Sequence, residues 1–152
     1  MIKVLFVCHG NICRSPMAEY IFKDMVKEAG LEREFRIASA ATSAEEIGNS
    51  IYPPAGRKLL EHGIRADGHR ARQLRREDYA QWDYLIGMES IHLRRMTALF
   101  RGDPEGKLTR LLDYTDRPGD ISDPWYSDDF DTAWREIERG CRALFEELLE
   151  EK

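Results

Sequence analysis

Apolar and polar positions along this chain follow two periods, and the change from one period to the other predicts strands followed by helices. Residues 2–7 form a short apolar run rich in β-branched residues, which is typical of a buried parallel strand. Residues 16–29 then repeat apolar side chains at helical spacing, and Gly30 is a natural end for that helix. The clearest helix is predicted at residues 130–149, where six apolar side chains share one stripe: Phe130, Trp134, Ile137, Cys141, Leu144 and Leu148.

The rest of the pattern continues this alternation. Three more strands are predicted, at residues 35–39, 83–88 and 107–112. Three more helices are predicted at residues 53–60, 75–81 and 89–100, with loops at 40–51 and 113–129, and residues 64–73 show no clear period. Because strands alternate with helices, we expect a parallel sheet with right-handed crossovers. A length of 152 residues predicts a single α/β domain over residues 1–152, with its own core.

The segment between the first strand and the first helix holds the candidate chemistry. Ser15 can cap the helix and Pro16 suits its first position, so residues 8–16 are expected to form a tight loop that leads into a helix N-terminus. Backbone N–H groups and the positive end of the helix dipole then point into the loop. Such a loop is predicted to bind an anion.

Cys8 and Arg14 make this anion site reactive. Cys8 ends the predicted strand, Arg14 begins the predicted helix, and five residues separate them. A thiol near a helix N-terminus and an arginine ionises easily, and a guanidinium offers two parallel donors to a phosphate. A thiolate that faces a bound phosphate is a nucleophile for phosphoryl transfer.

This loop resembles the signature of the low-molecular-weight protein tyrosine phosphatases. Residues 7–16 carry the run Val-Cys-His-Gly-Asn-Ile-Cys-Arg-Ser-Pro at the first strand–helix turn, and later stretches agree, so the resemblance covers essentially the whole chain. It implies a four-stranded parallel sheet in the order 2-1-3-4 flanked by helices, the flavodoxin-like form of phosphotyrosine phosphatase I. It also implies a protein-tyrosine-phosphatase that hydrolyses phosphotyrosine and small aryl phosphates. In such an enzyme Cys8 forms a phosphocysteine intermediate, Arg14 binds the phosphate, and neither cofactor nor metal takes part.

The resemblance also assigns the residues around Cys8. The phosphate-binding loop consists of His9, Gly10, Asn11, Ile12, Cys13 and Ser15. Asn11 suits a left-handed backbone position in a tight loop, and Ser15 is placed to donate to the thiolate. By the same resemblance, His69 hydrogen-bonds into this network as a supporting residue. His9 replaces a residue that is often apolar or small in the family, and we expect it at the mouth of the pocket.

A general acid is needed because the leaving phenolate is a strong base. Asp103 follows a helix and precedes the fourth strand, which places it at the wrong edge of the sheet. Four candidate aspartates follow that strand on the active-site side, and local spacing does not choose among them: Asp113, Asp116, Asp120 and Asp123. The resemblance does choose, because Asp123 begins the Asp-Pro-Trp-Tyr run that holds the acid in the family.

Aromatic and acidic residues are predicted to surround the substrate. Trp125 and Tyr126 are interpreted as a wall that stacks on its phenyl ring, the alternative being a loop packed on the domain. In the facing loop, Glu45 and Glu46 stand where many relatives place an aromatic residue. This acidic pair is expected to favour basic residues beside the phosphotyrosine.

The three cysteines do not suggest a secreted disulfide framework. Cys13 is either a small buried residue or a disulfide partner that protects Cys8 from irreversible oxidation. Cys141 falls on the apolar stripe of the last helix and is predicted to be core. Cys8, His9 and Cys13 lack a fourth ligand at suitable spacing, so no metal site is predicted.

Composition limits the partners and the location. The net charge of -5 argues against non-specific nucleic-acid binding, and the arginine-rich residues 65–76 are interpreted as a solvated face. No stretch approaches the roughly 20 apolar residues of a membrane span, and the N-terminal run is too short for a signal peptide. A reactive thiol fits a reducing compartment, so we expect a cytoplasmic location. The expected partners are a tyrosine-phosphorylated protein or peptide and the phosphate ion.

Three other functions stay open on this scaffold. A phosphoarginine phosphatase of the same family carries Thr at the position of Ile12, which disfavours that activity here. An arsenate reductase needs a further pair of redox cysteines downstream, where this chain has only Cys141. A non-catalytic phosphate-binding module does not need Cys8, Arg14 and Asp123 together.

Overall fold

Four parallel strands form the centre of the molecule, in a computed structural model that describes residues 1–151. Their bounds are β1 Ile2–Cys8, β2 Phe35–Ala41, β3 Tyr84–Gly87 and β4 Leu108–Arg110. They lie side by side in the order β2-β1-β3-β4, and each neighbouring pair is parallel. The predicted α/β fold and strand order are therefore confirmed, and β1 lies between two partners.

Helices pack on both faces of this sheet. Their bounds are α1 Arg14–Glu28, α2 Pro53–Glu61, α3 Asp78–Gln81, α4 Ser90–Phe100, α5 Pro124–Ser127 and α6 Phe130–Glu150. Two short 3-10 turns are also present, at Glu32–Glu34 and Leu111–Tyr114. Over residues 1–151, every helix is too short or too polar to cross a bilayer.

β1 is buried on both faces, which explains its continuous apolar run. Successive side chains of a strand point to opposite faces. Val4, Phe6 and Cys8 pack in the core formed with α1, α2 and α6, whereas Leu5 and Val7 pack in the core beneath α3 and α4. Each fully buried Val, Leu or Phe side chain contributes about 1.5–3 kcal/mol. The strand that carries Cys8 is therefore deeply anchored.

β1 and β3 end within one residue of the predicted positions, whereas β2 and β4 each end two residues away from them. β2 continues through Ala40 and Ala41, where the sequence predicts a loop because small residues give no clear apolar period. Both are buried, and their backbones pair with Val7 and Cys8 of β1. β4 stops at Arg110, two residues earlier than predicted, because the chain tightens into the 3-10 turn that follows.

The prediction that Ser15 caps the first helix is wrong. α1 begins at Arg14, its N-cap is Cys13, and that end of the helix has no capping side-chain hydrogen bond. Pro16 is accordingly the third helical residue rather than the first. The Ser15 hydroxyl bonds instead to Cys8 and Asn11, so it belongs to the loop and not to the helix end.

Candidate active site

A cleft of about 400 Å³ opens at the carboxyl ends of β1 and β3, where ligands bind in open α/β sheets. Most of the predicted site residues line it: Cys8, His9, Gly10, Ile12, Cys13, Arg14, Asp123, Trp125 and Tyr126. The two acidic residues of the facing loop also line it, namely Glu45 and Glu46. Four residues that the sequence did not suggest complete the lining: Glu89, Ile91, His92 and Arg95.

Cys8 is the last residue of β1, and its thiol lies next to a hydroxyl. Its backbone pairs with Ala41 of β2, and only 4% of the residue is exposed. The Ser15 Oγ atom lies 2.9 Å from Cys8 Sγ. The end of a buried strand and the first turn of α1 thus hold the thiol in place.

Asn11 holds the Ser15 hydroxyl beside Cys8. Its backbone is left-handed, with a φ of 59°, as expected for an asparagine in a tight loop. Its Nδ2 donates to Ser15 Oγ at 2.9 Å and to Ser39 Oγ at 2.8 Å. Because the Ser15 oxygen already accepts this bond, its own hydrogen is free to point at Cys8 Sγ. The site therefore offers a donor to a sulfur anion.

His69 and Glu19 hold the outer part of this network. His69 Nε2 donates to the Asn11 carbonyl oxygen at 2.7 Å, and the ring is buried. Ser39 Oγ donates to Glu19 Oε1 at 2.5 Å, and Lys23 Nζ donates to Glu19 Oε2 at 2.6 Å. These bonds fix the backbone of the loop around Asn11.

Arg72 departs from the solvated face predicted for residues 65–76. Its backbone N–H donates to Asn11 Oδ1 at 3.1 Å, and its guanidinium makes two bonds to Asp78, at 3.1 and 3.0 Å. Burial raises the pKa of Asp78, but the bonds from Arg72 and from the Arg75 N–H outweigh it, so the net pKa lies below its usual range. One arginine of this run therefore supports the Cys8 loop.

Arg14 is the first residue of α1 and is 3% exposed. Its Nη1 donates to the Ile121 carbonyl at 2.7 Å, and its Nη2 donates to Glu89 Oε2 at 2.6 Å. Nη2 also lies 3.3 Å from Asp123 Oδ2. A buried guanidinium requires such partners, and they fix its orientation at the edge of the cleft.

Glu89 is a site residue that sequence reasoning missed. It lies two residues beyond the end of β3, at the carboxyl edge of the sheet, and it is the N-cap of α4. An acidic residue directly after a predicted strand was the available signal. It was overlooked because its partner Arg14 lies 75 positions earlier in the chain.

For the phosphatase activity that the resemblance implies, we expect Glu89→Ala to lower kcat/KM by about 10- to 100-fold, because a charge-assisted hydrogen bond that orients Arg14 is lost. Glu89→Gln keeps an acceptor, so its loss should stay below about fivefold. Steady-state kinetics measure both. Ser90→Ala is the matched control, since the Ser90 hydroxyl bonds Asp120 outside the cleft. Equal losses in the Gln and Ala variants would contradict an orienting role.

The structure separates Asp103 from the cleft, as predicted. Its Oδ1 accepts hydrogen bonds from the Tyr79 hydroxyl at 2.7 Å and from the Lys107 N–H at 2.8 Å. These bonds shape the turn that leads into β4 at the amino edge of the sheet. Asp103 therefore has a structural role.

Of the four candidate aspartates named above, Asp123 is the one that lines the cleft. Asp113 pairs with Arg110, and Asp120 bonds Arg110 and the backbone of Ser90. Asp123 is the N-cap of α5, and its Oδ1 accepts from the Trp125 N–H at 3.1 Å. The loop predicted at residues 113–129 thus contains a short helix, and the cap aims the second carboxylate oxygen at Arg14.

Two aromatic residues form one side of the opening. Trp125 is 51% exposed, and its ring centroid lies 4.8 Å from that of Tyr52. Tyr126 is more exposed still. Trp125 is therefore both packed against the domain and open to the cleft, which combines the two interpretations of this segment.

His9 joins the two sides of the cleft mouth. Its Nε2 lies 2.9 Å from Glu45 Oε2, in the loop after β2, and its Nδ1 lies 2.9 Å from Arg95 Nη1, on α4. The position of His9 at the mouth agrees with the expectation from the sequence. Arg95 was not expected there.

His92 is a buried histidine beside the arginines of the site. Its Nδ1 accepts from the backbone N–H groups of Met88 and Glu89, at 3.2 and 3.0 Å. Burial lowers the pKa of His92 to about 3, with the positive charges of Arg14 and Arg95 acting in the same direction. His92 is therefore neutral near pH 7 and holds the chain in place where Glu89 begins α4.

The cysteines Cys8, Cys13 and Cys141 carry free thiols. Burial, followed by the nearby Cys8, raises the pKa of Cys13 well above its usual range. A protective disulfide between Cys8 and Cys13 stays a prediction. Cys141 is fully buried in the core beneath α6, which confirms its structural assignment. The stretch 1–151 contains no cluster of three His, Cys, Asp or Glu side chains suited to a metal ion.

Comparisons with known proteins agree along the whole chain. The family model for low molecular weight phosphotyrosine protein phosphatase matches residues 3–152. The low molecular weight protein-tyrosine-phosphatase YfkJ of Bacillus subtilis is 37% identical over 154 residues, covering 100% of this chain and 99% of that protein. The low molecular weight phosphotyrosine protein phosphatase of Homo sapiens is 39% identical over 162 residues, covering 94% of this chain and 93% of that protein.

Solved structures give the same result. The crystal structure of YfkJ from Bacillus subtilis matches with a TM-score of 0.96 at 37% identity, covering 100% of this chain and 97% of that one. The crystal structure of DARP, drosophila arginine phosphatase, matches with a TM-score of 0.87 at 29% identity, covering 97% and 98%. The chain therefore belongs to the low molecular weight phosphotyrosine protein phosphatase family, and the prediction that it is an enzyme of the protein-tyrosine-phosphatase class is confirmed.

Proposed function

We propose that this enzyme hydrolyses phosphotyrosine and small aryl phosphates, with Cys8 as nucleophile, Arg14 as phosphate-binding residue and Asp123 as general acid and base. One observation carries the proposal: these three side chains line one cleft, and Asp123 Oδ2 lies 3.3 Å from Arg14 Nη2. A phosphoryl group bound by Arg14 would therefore have its leaving oxygen close to the Asp123 carboxyl group.

In the first step the Cys8 sulfur attacks phosphorus, and the bond between phosphorus and the phenolic oxygen breaks. Protonated Asp123 gives its proton to that oxygen, and tyrosine leaves. Arg14 and the backbone N–H groups of residues 9–15 stabilise the charge on the equatorial oxygens. The hydroxyl of Ser15 donates to the sulfur when it is an anion, as the bond pattern at Asn11 supports.

In the second step a water molecule attacks the phosphocysteine, and Asp123 accepts the proton of this water. The bond between sulfur and phosphorus breaks, the Cys8 thiolate is restored, and a phosphate ion leaves. The cycle consumes one water and needs no redox partner. Asn11, His69 and Ser15 support this cycle by holding the loop in its left-handed turn.

The substrate is a tyrosine-phosphorylated protein or peptide, and Trp125 and Tyr126 flank its phenyl ring. The exposure of Trp125 and Tyr126 at the cleft supports this contact. A reactive thiol needs a reducing compartment, which favours the cytoplasm.

Phosphoarginine is the second candidate substrate, because one structural relative is an arginine phosphatase. Ile12 argues against it. This half-buried side chain lines the cleft and has no hydroxyl with which to contact a phosphorylated guanidinium. An arsenate reductase would need a second pair of redox cysteines, and Cys141 is sealed in the core.

A parallel assay with a phosphotyrosine peptide, a phosphoserine peptide, phosphoarginine, and arsenate with a thiol reductant separates these functions. We expect kcat/KM for phosphotyrosine to exceed that for phosphoserine by about 100-fold or more, because a phenolate leaves more readily than an alkoxide. Phosphoarginine and arsenate should be poor substrates, because Ile12 has no hydroxyl and Cys141 is buried. Phenyl phosphate serves as the positive control. Efficient hydrolysis of phosphoserine or phosphoarginine, with phosphotyrosine untouched, would overturn the assignment.

A further inference from the structure

An arginine at the mouth of the cleft has no role in the steps above. Arg95 lies on α4, is exposed, and lines the same cleft as Cys8. Ile91, one helical turn earlier, also lines the cleft, so this face of α4 is turned toward the substrate. Arg95 therefore stands where the residues next to a bound phosphotyrosine must pass.

The positive charge of Arg95 is not neutralised by a carboxylate. Within residues 1–151 it takes part in no ion pair, whereas Arg14, Arg72 and Arg110 each do. Its hydrogen-bond partner is the Nδ1 atom of His9, at 2.9 Å. A guanidinium only donates, so Nδ1 accepts, and the proton of the ring is on Nε2. The bond thus orients Arg95 without cancelling its charge.

The same imidazole also bonds a carboxylate, of opposite charge to Arg95, on the other side of the cleft mouth. His9 Nε2 donates to Glu45 Oε2 at 2.9 Å. The two ring nitrogens point away from each other, so Arg95 and Glu45 lie on opposite sides of His9. Because His9 directly follows Cys8, this pair flanks the point at which a substrate chain enters the cleft.

We propose that Arg95 is a specificity-determining residue that binds a carboxylate side chain next to the phosphotyrosine, on the flank away from Glu45. The proposal rests on the phosphatase function proposed above. Residues of an extended peptide are spaced by about 3.3 Å, so the neighbour of a phosphotyrosine seated in the cleft passes over this rim. His9, oriented by Glu45, holds the guanidinium of Arg95 toward that neighbour.

Five peptides test this proposal. Each has phosphotyrosine flanked by alanine on both sides, by aspartate on the N-terminal or the C-terminal side, or by lysine on one or the other side. We expect aspartate on one flank to raise kcat/KM about 3- to 10-fold over the alanine peptide, mainly through KM. Aspartate on the other flank should give no gain. The gain should shrink as salt is added, because the rim charges are exposed.

Variants then assign the preference to Arg95. Arg95→Gln should abolish it, and Arg95→Glu should transfer it to lysine at the same flank. Each value is expressed relative to the alanine peptide with the same variant, so a general loss of activity cancels. Arg94→Gln is the matched control. This neighbour is exposed on the same helix, does not line the cleft, and should keep the aspartate preference.

The outcomes distinguish the two proposals. A parent enzyme that hydrolyses all five peptides equally, or an Arg95→Gln variant that keeps the aspartate preference, would overturn the role of Arg95 alone. A uniform loss of activity in Arg95→Gln with an unchanged preference would indicate a merely structural residue. A parent enzyme that cleaves none of the phosphotyrosine peptides would overturn the phosphatase function and, with it, this inference.

Discussion

Cys8→Ser should lower kcat for phosphotyrosine hydrolysis by about four to six orders of magnitude, the scale seen when an essential nucleophile is removed. A serine hydroxyl stays protonated at neutral pH. Its neighbour at 2.9 Å is the Ser15 hydroxyl, which is not a base that could activate it. The measurement is the steady-state rate on a phosphotyrosine peptide, together with a search for the phosphoenzyme by mass spectrometry.

Phosphate binding separates this loss from misfolding. Arg14 and the loop N–H groups are intact in Cys8→Ser, so inorganic phosphate should still bind within about tenfold of its parent affinity. Cys141→Ser makes the same chemical change in the core and leaves the cleft untouched, so its kcat should match the parent value. A Cys8→Ser enzyme that turned over at a substantial rate would remove the proposed mechanism.

Asp123→Asn should lower kcat/KM for phenyl phosphate or phosphotyrosine by about 100- to 10,000-fold, because an amide cannot protonate the leaving oxygen, and kcat/KM reports the steps up to release of the phenol. The loss should become much smaller on an aryl phosphate with a strongly acidic phenol, which leaves without a proton. The slope of log kcat/KM against the pKa of the leaving phenol measures this difference. It should be steep in the variant and shallow in the parent.

Asp120→Asn is the control for this variant. Asp120 lies three residues before Asp123, but its carboxylate bonds Ser90 and Arg110 outside the cleft. Its slope should follow the parent slope. If Asp123→Asn lost the same factor on every aryl phosphate, the carboxyl group would position the substrate, and another group would be the acid.

The part of the site that is contiguous in sequence could be predicted. A buried strand, a tight turn and a helix at residues 2–29 place Cys8 and Arg14 in one cleft by local geometry alone. The left-handed position of Asn11 followed in the same way. The prediction that Ser15 caps the helix was wrong, because its hydroxyl bonds to Cys8 and Asn11 instead of to the helix end.

The part that depends on distant contacts could not be predicted from local pattern. The resemblance identified Asp123, because spacing alone did not distinguish the four candidate aspartates. In the structure, Asp123 is the one of these four that lines the cleft. Glu89 offered only the weak signal of an acidic residue after a strand, and Arg95 offered none. Their significance comes from Arg14 and His9, which lie 75 and 86 positions away in the chain. Residue pairs that are so far apart in the chain leave no periodic pattern in a single sequence.

The placement of Cys8 at the end of β1 has a consequence for how this enzyme can diversify. The proposed nucleophile lies at the end of the strand that packs on both faces and pairs with two neighbours. The residues proposed to contact the rest of a phosphoprotein lie instead on surface loops and helix ends, where substitutions disturb the core little. Substitutions at the rim can therefore change the substrate preference while the chemistry stays the same. A mutant library confined to the rim is the most direct way to obtain a phosphatase with a different substrate.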